Sequence, residues 1–156
     1  MLEILVVDDS ALMRSGLQCM LDSQPDLRVV GLADDGEAGL RQAQELRPGV
    51  VLMDLRMPGM DGIEATRRLK AMDPCPTVVV LTANCGSAVV RDAFAAGADG
   101  FLLKDMPPEQ LLRALRDLPA GRPAVDPRVA RVLRRLVRRA QQAAADEQSP
   151  VAAPSA

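Results

Sequence analysis

The stretch Val50-Val51-Leu52-Met53-Asp54-Leu55-Arg56-Met57-Pro58-Gly59-Met60-Asp61-Gly62 sets the terms for the whole chain. From Val50 to Leu55 the residues are apolar in succession, with Asp54 as the exception. A strand covered on one face alternates and a strand covered on both does not, so this segment predicts a buried parallel sheet. The Pro58-Gly59 pair marks a turn just beyond it. Working outward, Ile4–Val7, Val29–Leu32, Thr77–Leu81 and Gly100–Leu103 are short apolar segments of the same character. Between them apolar residues fall at helical spacing, as in Met13, Leu17, Met20 and Leu21, or Leu111, Leu112, Leu115 and Leu118. Asp35-Gly36, Pro48-Gly49, Asp73-Pro74 and Gly97 punctuate the changeovers. Strand and helix alternating five times predict an α/β fold, a doubly wound five-stranded parallel sheet with helices on both faces.

The composition excludes several classes. The 156 residues suit one domain, and 48% apolar content with 26% charge allows a real core. A net charge of −2, from 19 basic and 21 acidic side chains, excludes a generally basic nucleic-acid binder while leaving room for a local patch. No apolar run approaches the roughly 18–20 residues of a membrane span. Met1-Leu2-Glu3 lacks the features of a signal peptide, so a cytoplasmic location is expected. There is no histidine, which removes Ser-His-Asp triads, Cys-His dyads and His-ligated zinc. Cys19, Cys75 and Cys85 form no Cys-x-x-Cys pair and read as reduced bystanders. Chemistry must then rest on carboxylates, Lys, Ser or Thr, and a metal held by oxygen.

The regular pattern stops near Pro119. Residues 1–118 form the expected domain, and Pro119–Pro127 reads as a Pro/Gly/Ala linker. A sixth helix is expected from Pro127 to Ala144, with Val129, Val132, Leu133, Leu136 and Val137 on one face. Its other face carries Arg128, Arg131, Arg134, Arg135, Arg138 and Arg139. Residues 145–156 are expected to be a disordered tail. Residues 1–121 hold 12 basic and 18 acidic side chains, whereas 122–139 hold seven Arg and one Asp. The Arg face reads as a solvated surface, and the apolar stripe suggests packing on the domain or on a second subunit as a homodimer.

Ligands of open α/β sheets bind beyond the carboxyl ends of the strands. Those ends carry Asp8-Asp9, Asp54, Thr82-Ala83 and Lys104. Neighbouring carboxylates repel, so a hard divalent cation is their natural occupant, and oxygen ligation suits Mg²⁺. A carboxylate can act as a nucleophile and become an aspartyl-phosphate. Lys104 would neutralise the transferring group while the Thr82 hydroxyl and the Ala83 amide bond its oxygens.

Ile4-Leu5-Val6-Val7-Asp8-Asp9-Ser10, Met53-Asp54-Leu55-Arg56-Met57-Pro58-Gly59-Met60-Asp61-Gly62, Leu81-Thr82-Ala83 and Gly100-Phe101-Leu102-Leu103-Lys104-Asp105 together resemble the receiver domain of two-component response regulators. The wording around Asp54 and the Leu-Leu-Lys-Asp ending look most like the NarL/FixJ/LuxR branch of transcription factors. The resemblance implies a sheet of order 2-1-3-4-5, with Asp54 phosphorylated by the phosphohistidine of a sensor histidine kinase. It implies Mg²⁺ on Asp8, Asp9, Asp54 and the Arg56 backbone carbonyl, and Lys104 paired with the phosphoryl group. Thr82 would swing to bond that group, and Phe101 would rotate inward as the switch aromatic. Arg56 and Asn84 flank the path of hydrolytic water and are expected to tune phosphoryl lifetime. DNA would be reached only through a helix-turn-helix output domain of about 60 residues that this chain does not contain, and the Ala/Pro/Ser-rich ending is similar to the linker leading to one. Asp105 stands where many receivers have proline. A stand-alone receiver and a phosphorylation-independent interaction module are the alternatives. An aspartyl-nucleophile phosphatase is disfavoured, because Arg56 sits where that chemistry wants a second acid.

Overall fold

A computed structural model describes residues 1–148. Five strands, β1 (Leu2–Val7), β2 (Leu27–Ala33), β3 (Val50–Met53), β4 (Thr77–Thr82) and β5 (Gly100–Leu103), form one parallel sheet in the order β2-β1-β3-β4-β5. Helices α1 (Ala11–Asp22), α2 (Gly36–Leu46), α3 (Gly62–Lys70), α4 (Ser87–Ala95) and α5 (Pro108–Asp117) connect or follow them. This is the predicted architecture and order. Every residue of β3 and β5 is buried, as their unbroken apolar runs require.

Successive strand side chains point to opposite faces. Ile4, Val6, Leu52, Leu81 and Leu102 join Leu17, Leu21, Leu111 and Leu115 on the α1/α5 side. Leu5, Val7, Val51, Met53 and Val78 join Ala65 and Leu69 on the other. Local chemistry starts three of the helices. The side chains of Ser10, Asp35 and Asp61 accept from the amides of Met13, Ala38 and Glu64, which removes orphan donors at each N-terminus.

The C-terminal part differs from expectation in two ways. The linker is not plain coil, because Leu118–Ala120 form a short 3-10 helix and Val125 bridges to Phe101 as a minimal added strand. The following helix, α6 (Pro127–Gln148), runs past Ala144 into the expected disordered tail. Ala143, Ala144 and Ala145 are the strongest helix formers, and the first breaker is Pro150. The remainder of the expected tail, 149–156, lies outside the described residues. The apolar stripe follows one of the two packings expected of it, against the domain. Val129 and Val132 are buried against Val80, Val90, Ala93 and Phe101, while Val137 is 55% exposed and lies off that face. The buried part of the stripe, Val129 and Val132, thus packs on the domain.

Candidate functional site

The site is built by continuing the sheet one residue past its ladders. The Asp54 amide donates to the Val7 carbonyl (2.9 Å), and the Lys104 amide donates to the Thr82 carbonyl (2.9 Å). The Asp8 amide donates to the Ala33 carbonyl (3.0 Å). β3 itself ends at Met53, so Asp54 is the first residue beyond it, between the ends of its neighbours. The chain leaves β1 toward β2 and returns on its other side as β3, which opens a crevice at this rim.

The carboxylates of Asp8, Asp9 and Asp54 bring ligand atoms within 4.8 Å of one another. Asp8 and Asp54 are buried, and Asp9 is exposed. Lys104 Nζ lies 2.8 Å from Asp8 Oδ2 and 3.2 Å from Asp54 Oδ2. One ammonium is thus shared by two buried acids, and the shorter contact goes to Asp8. Burial pushes the Asp54 carboxyl above its ordinary range and the Asp8 charge adds to this; Lys104 and the Arg56 amide oppose both without prevailing. Burial alone would lower Lys104, but its hydrogen bond to Asp8 and the charges of Asp54 and Asp8 hold the ammonium above its usual range. The lysine gains two anionic partners, while the one cation shared with Asp8 is too little to offset the burial of Asp54.

Three carboxylates against one ammonium leave two formal negative charges uncompensated. The donors are all hard oxygens, so the cluster fits a divalent cation of the Mg²⁺ or Ca²⁺ type. Asp9, Leu55, Arg56, Met57, Pro58 and Asp61 line an open cleft of about 450 Å³ beside it. A smaller one of about 160 Å³ is lined by Thr82, Asn84, Arg56, Asp61 and Val89 among others. Thr82 is buried at the end of β4, whereas Ala83 is exposed. Asn84 turns its side-chain oxygen to the Gly86 amide (2.8 Å). Phe101 is fully buried on β5, stacked on Phe94 and covered by α6, so it already points inward.

Some contributors went unmarked in the sequence. Arg14 donates to the Asp8 carbonyl (2.7 Å), and the Ser10 amide donates to Asp8 Oδ1 (2.9 Å), so α1 grips the Asp8 loop. Asp61 both caps α3 and lines the two clefts. Gly62 is the tightest point, since a Cβ there would lie 2.1 Å from the Asp54 carbonyl oxygen. The Gly after Asp61 was a visible signal; Arg14 had none, because its partner is a backbone carbonyl.

The family model for the response regulator receiver domain matches residues 4–116. The chain belongs to this family. Its relatives include the transcriptional regulatory protein LiaR of Bacillus subtilis, 42% identical over 137 residues, which are 87% of this chain and 65% of LiaR. The nitrate/nitrite response regulator protein NarL of Escherichia coli is 42% identical over 118 residues, 76% of this chain and 55% of NarL. This receiver chain therefore spans 55–65% of the length of those two relatives. Among solved structures, a LuxR-family response regulator from Aurantimonas superposes with a TM-score of 0.79 at 34% identity, covering 86% of this chain and 97% of that one. The isolated receiver domain of Salmonella RcsB, solved with the phosphomimetic BeF3-, gives 0.76 at 28% identity, covering 84% and 97%. The receiver is thus of the NarL/LuxR type, in keeping with two-component signalling. Among the described residues no helix is long and apolar enough to cross a membrane.

Proposed function

We propose that this receiver is a phosphorylation switch in which Asp54 accepts a phosphoryl group from the phosphohistidine of a sensor histidine kinase. An Asp54 carboxylate oxygen forms the new O–P bond, the N–P bond breaks, and the imidazole leaves with its electron pair. The observation that carries this reading is the sharing of Lys104 between Asp8 and Asp54 at the strand ends. A nucleophilic carboxylate needs an oxygen short of partners, and of the two acids it is Asp54 that has the longer contact with the shared lysine.

Asp8, Asp9, Asp54 and the Arg56 carbonyl would hold Mg²⁺, which when bound supplies charge neutralisation for an incoming phosphoryl group. Lys104 serves the same end from the protein side, by turning its ammonium from Asp8 toward the new oxygens. The Thr82 hydroxyl and the Ala83 amide donate to those oxygens, and Phe101 responds to the movement of Thr82. Arg56 and Asn84, which line the smaller cleft, control the approach of water and so the lifetime of the acyl phosphate. Residues 1–118 are the switching unit and 119–148 carry its state onward to a helix-turn-helix output domain that regulates transcription.

Acetyl phosphate with Mg²⁺ followed by mass spectrometry of peptides provides the test. One phosphoryl adduct is expected, on Asp54, and none in Asp54→Asn. Equal labelling of Asp54→Asn, or continuous turnover without a trapped adduct in either protein, would refute the assignment.

A further inference from the structure

One link between α6 and the acidic site runs through a guanidinium. Arg128 donates from Nη1 and Nη2 to the two carboxylate oxygens of Asp105, at 2.9 and 2.6 Å. The same side chain donates from Nε and Nη2 to Asp126, at 3.1 and 3.0 Å, and the Arg128 amide also donates to Asp126 (2.8 Å). Asp126 is buried and just precedes α6, so the fork fixes the start of the helix. Asp105 is the residue next to Lys104. Four residues earlier, on β5, the Phe101 amide donates to the Ala124 carbonyl (2.8 Å), and the Asp126 amide donates to the Phe101 carbonyl (3.0 Å). Gly100 allows this close approach, because a Cβ there would lie 2.4 Å from the Ala124 oxygen. The root of α6 is thus fastened on β5 and just beyond its end, and the second fastening is a neighbour of the lysine that bridges Asp8 and Asp54.

We propose that Arg128 is a latch that couples the Asp54 site to α6, so that docking of α6 and occupation of the site by a phosphoryl-like anion oppose one another. This rests on the function proposed above. Here Lys104 is drawn in toward Asp8 while Asp105 is held outward by the fork. An anion on Asp54 competes with Asp8 for the ammonium and so displaces Lys104. The neighbouring residue must move with it, and bidentate bonds lose strength quickly with angle. The docked helix therefore favours the resting lysine, and by reciprocity whatever repositions the lysine loosens the helix. Arg in this place is not replaceable by Lys, since an ammonium cannot meet two carboxylates with a planar fork.

Hydrogen exchange on the full chain, with Mg²⁺ and beryllofluoride as the probe, tests the coupling. In the wild type, beryllofluoride is expected to accelerate exchange at residues 126–136 by about five-fold or more. Arg128→Ala should accelerate basal exchange there and lower the half-saturating beryllofluoride concentration by about five-fold. Arg128→Lys should resemble Arg128→Ala. Faster exchange in Arg128→Ala with unchanged half-saturation would reduce the fork to a structural clamp and overturn the proposal. If the wild type takes up no beryllofluoride, the reading of the site fails instead, and Lys104→Met decides the latch without any ligand: altered exchange at 126–136 upholds it and unchanged exchange refutes it.

Discussion

The surroundings of Asp54 disfavour its charged form, through burial first and the Asp8 charge second. A carboxyl whose folded pKa lies above its unfolded value costs stability at neutral pH, and the isosteric amide removes that cost. Asp54→Asn is therefore expected to raise stability without metal by on the order of 1 kcal/mol, or roughly 3 °C in melting temperature for a chain of this size. A lower melting temperature by calorimetry would contradict the picture of crowded acids sharing one cation. Gly62 shows the opposite sensitivity. A methyl group at this position would meet the backbone of Asp54 and Leu55, which has no flexible end to yield. Gly62→Ala should cost about 1–3 kcal/mol, the usual range for overpacking, and should also impair labelling because Asp54 itself is pushed. Loss of stability with full labelling would show that the strain is absorbed by α3 instead.

At the scale of the element, α6 is a helix of two parts. Its first turns are pinned by Val129 and Val132, each fully buried valine contributing roughly 1.5–3 kcal/mol, while from Val137 onward every described residue is exposed. The root is also pinned by Asp126. Burial raises this carboxyl, but the hydrogen bonds from the Arg128 side chain and amide outweigh burial and leave it below the ordinary range. A depressed folded pKa means stability that is fully present above the unfolded value, near 3.9, and lost as pH falls through the folded value. Asp105, lowered by the same guanidinium, has the same sign. Acid should thus release α6 before it melts the sheet. Exchange at residues 126–136 is expected to rise below about pH 4, and Asp126→Asn should flatten that rise. Phe101 joins this element to the sheet, stacked on Phe94 with ring centroids 6.3 Å apart. Phe101→Ala should cost about 3–5 kcal/mol in urea unfolding, because the cavity would open beneath α4 and α6 together.

For the whole molecule, an acidic body carries a basic arm. Arg131, Arg134, Arg135, Arg138 and Arg139 are all exposed, whereas Arg128 alone of the expected basic face is engaged in the fork. The arm covers apolar surface on α4 and the open edge of β5, where residue 125 takes the place of a sixth strand. An uncovered edge strand beside an apolar patch is prone to pair with another chain. Removing residues 122–156 should therefore increase self-association, read as a rise in sedimentation-equilibrium mass between low and high concentration. A truncated chain that stays monomeric would mean that the edge of β5 is protected by other means.

The unbroken apolar runs at Val50–Met53 and Val78–Leu81 determined a sheet covered on both faces, because whether apolar residues alternate or run on without a break is a local property. The polar residues at strand ends, Asp8, Asp9, Asp54, Thr82 and Lys104, were legible for the same reason: a strand's end places its next side chain at a known rim. Ala-rich composition misled at 145–148, where helix propensity outweighed the low complexity that suggested disorder. Which acid takes the lysine, how α6 docks, and that Arg128 spans from residue 126 to residue 105 were decided by the tertiary structure alone. Those outcomes depend on distances between groups far apart in the chain, and one charge shared among several partners settles by geometry that no local pattern of residues records.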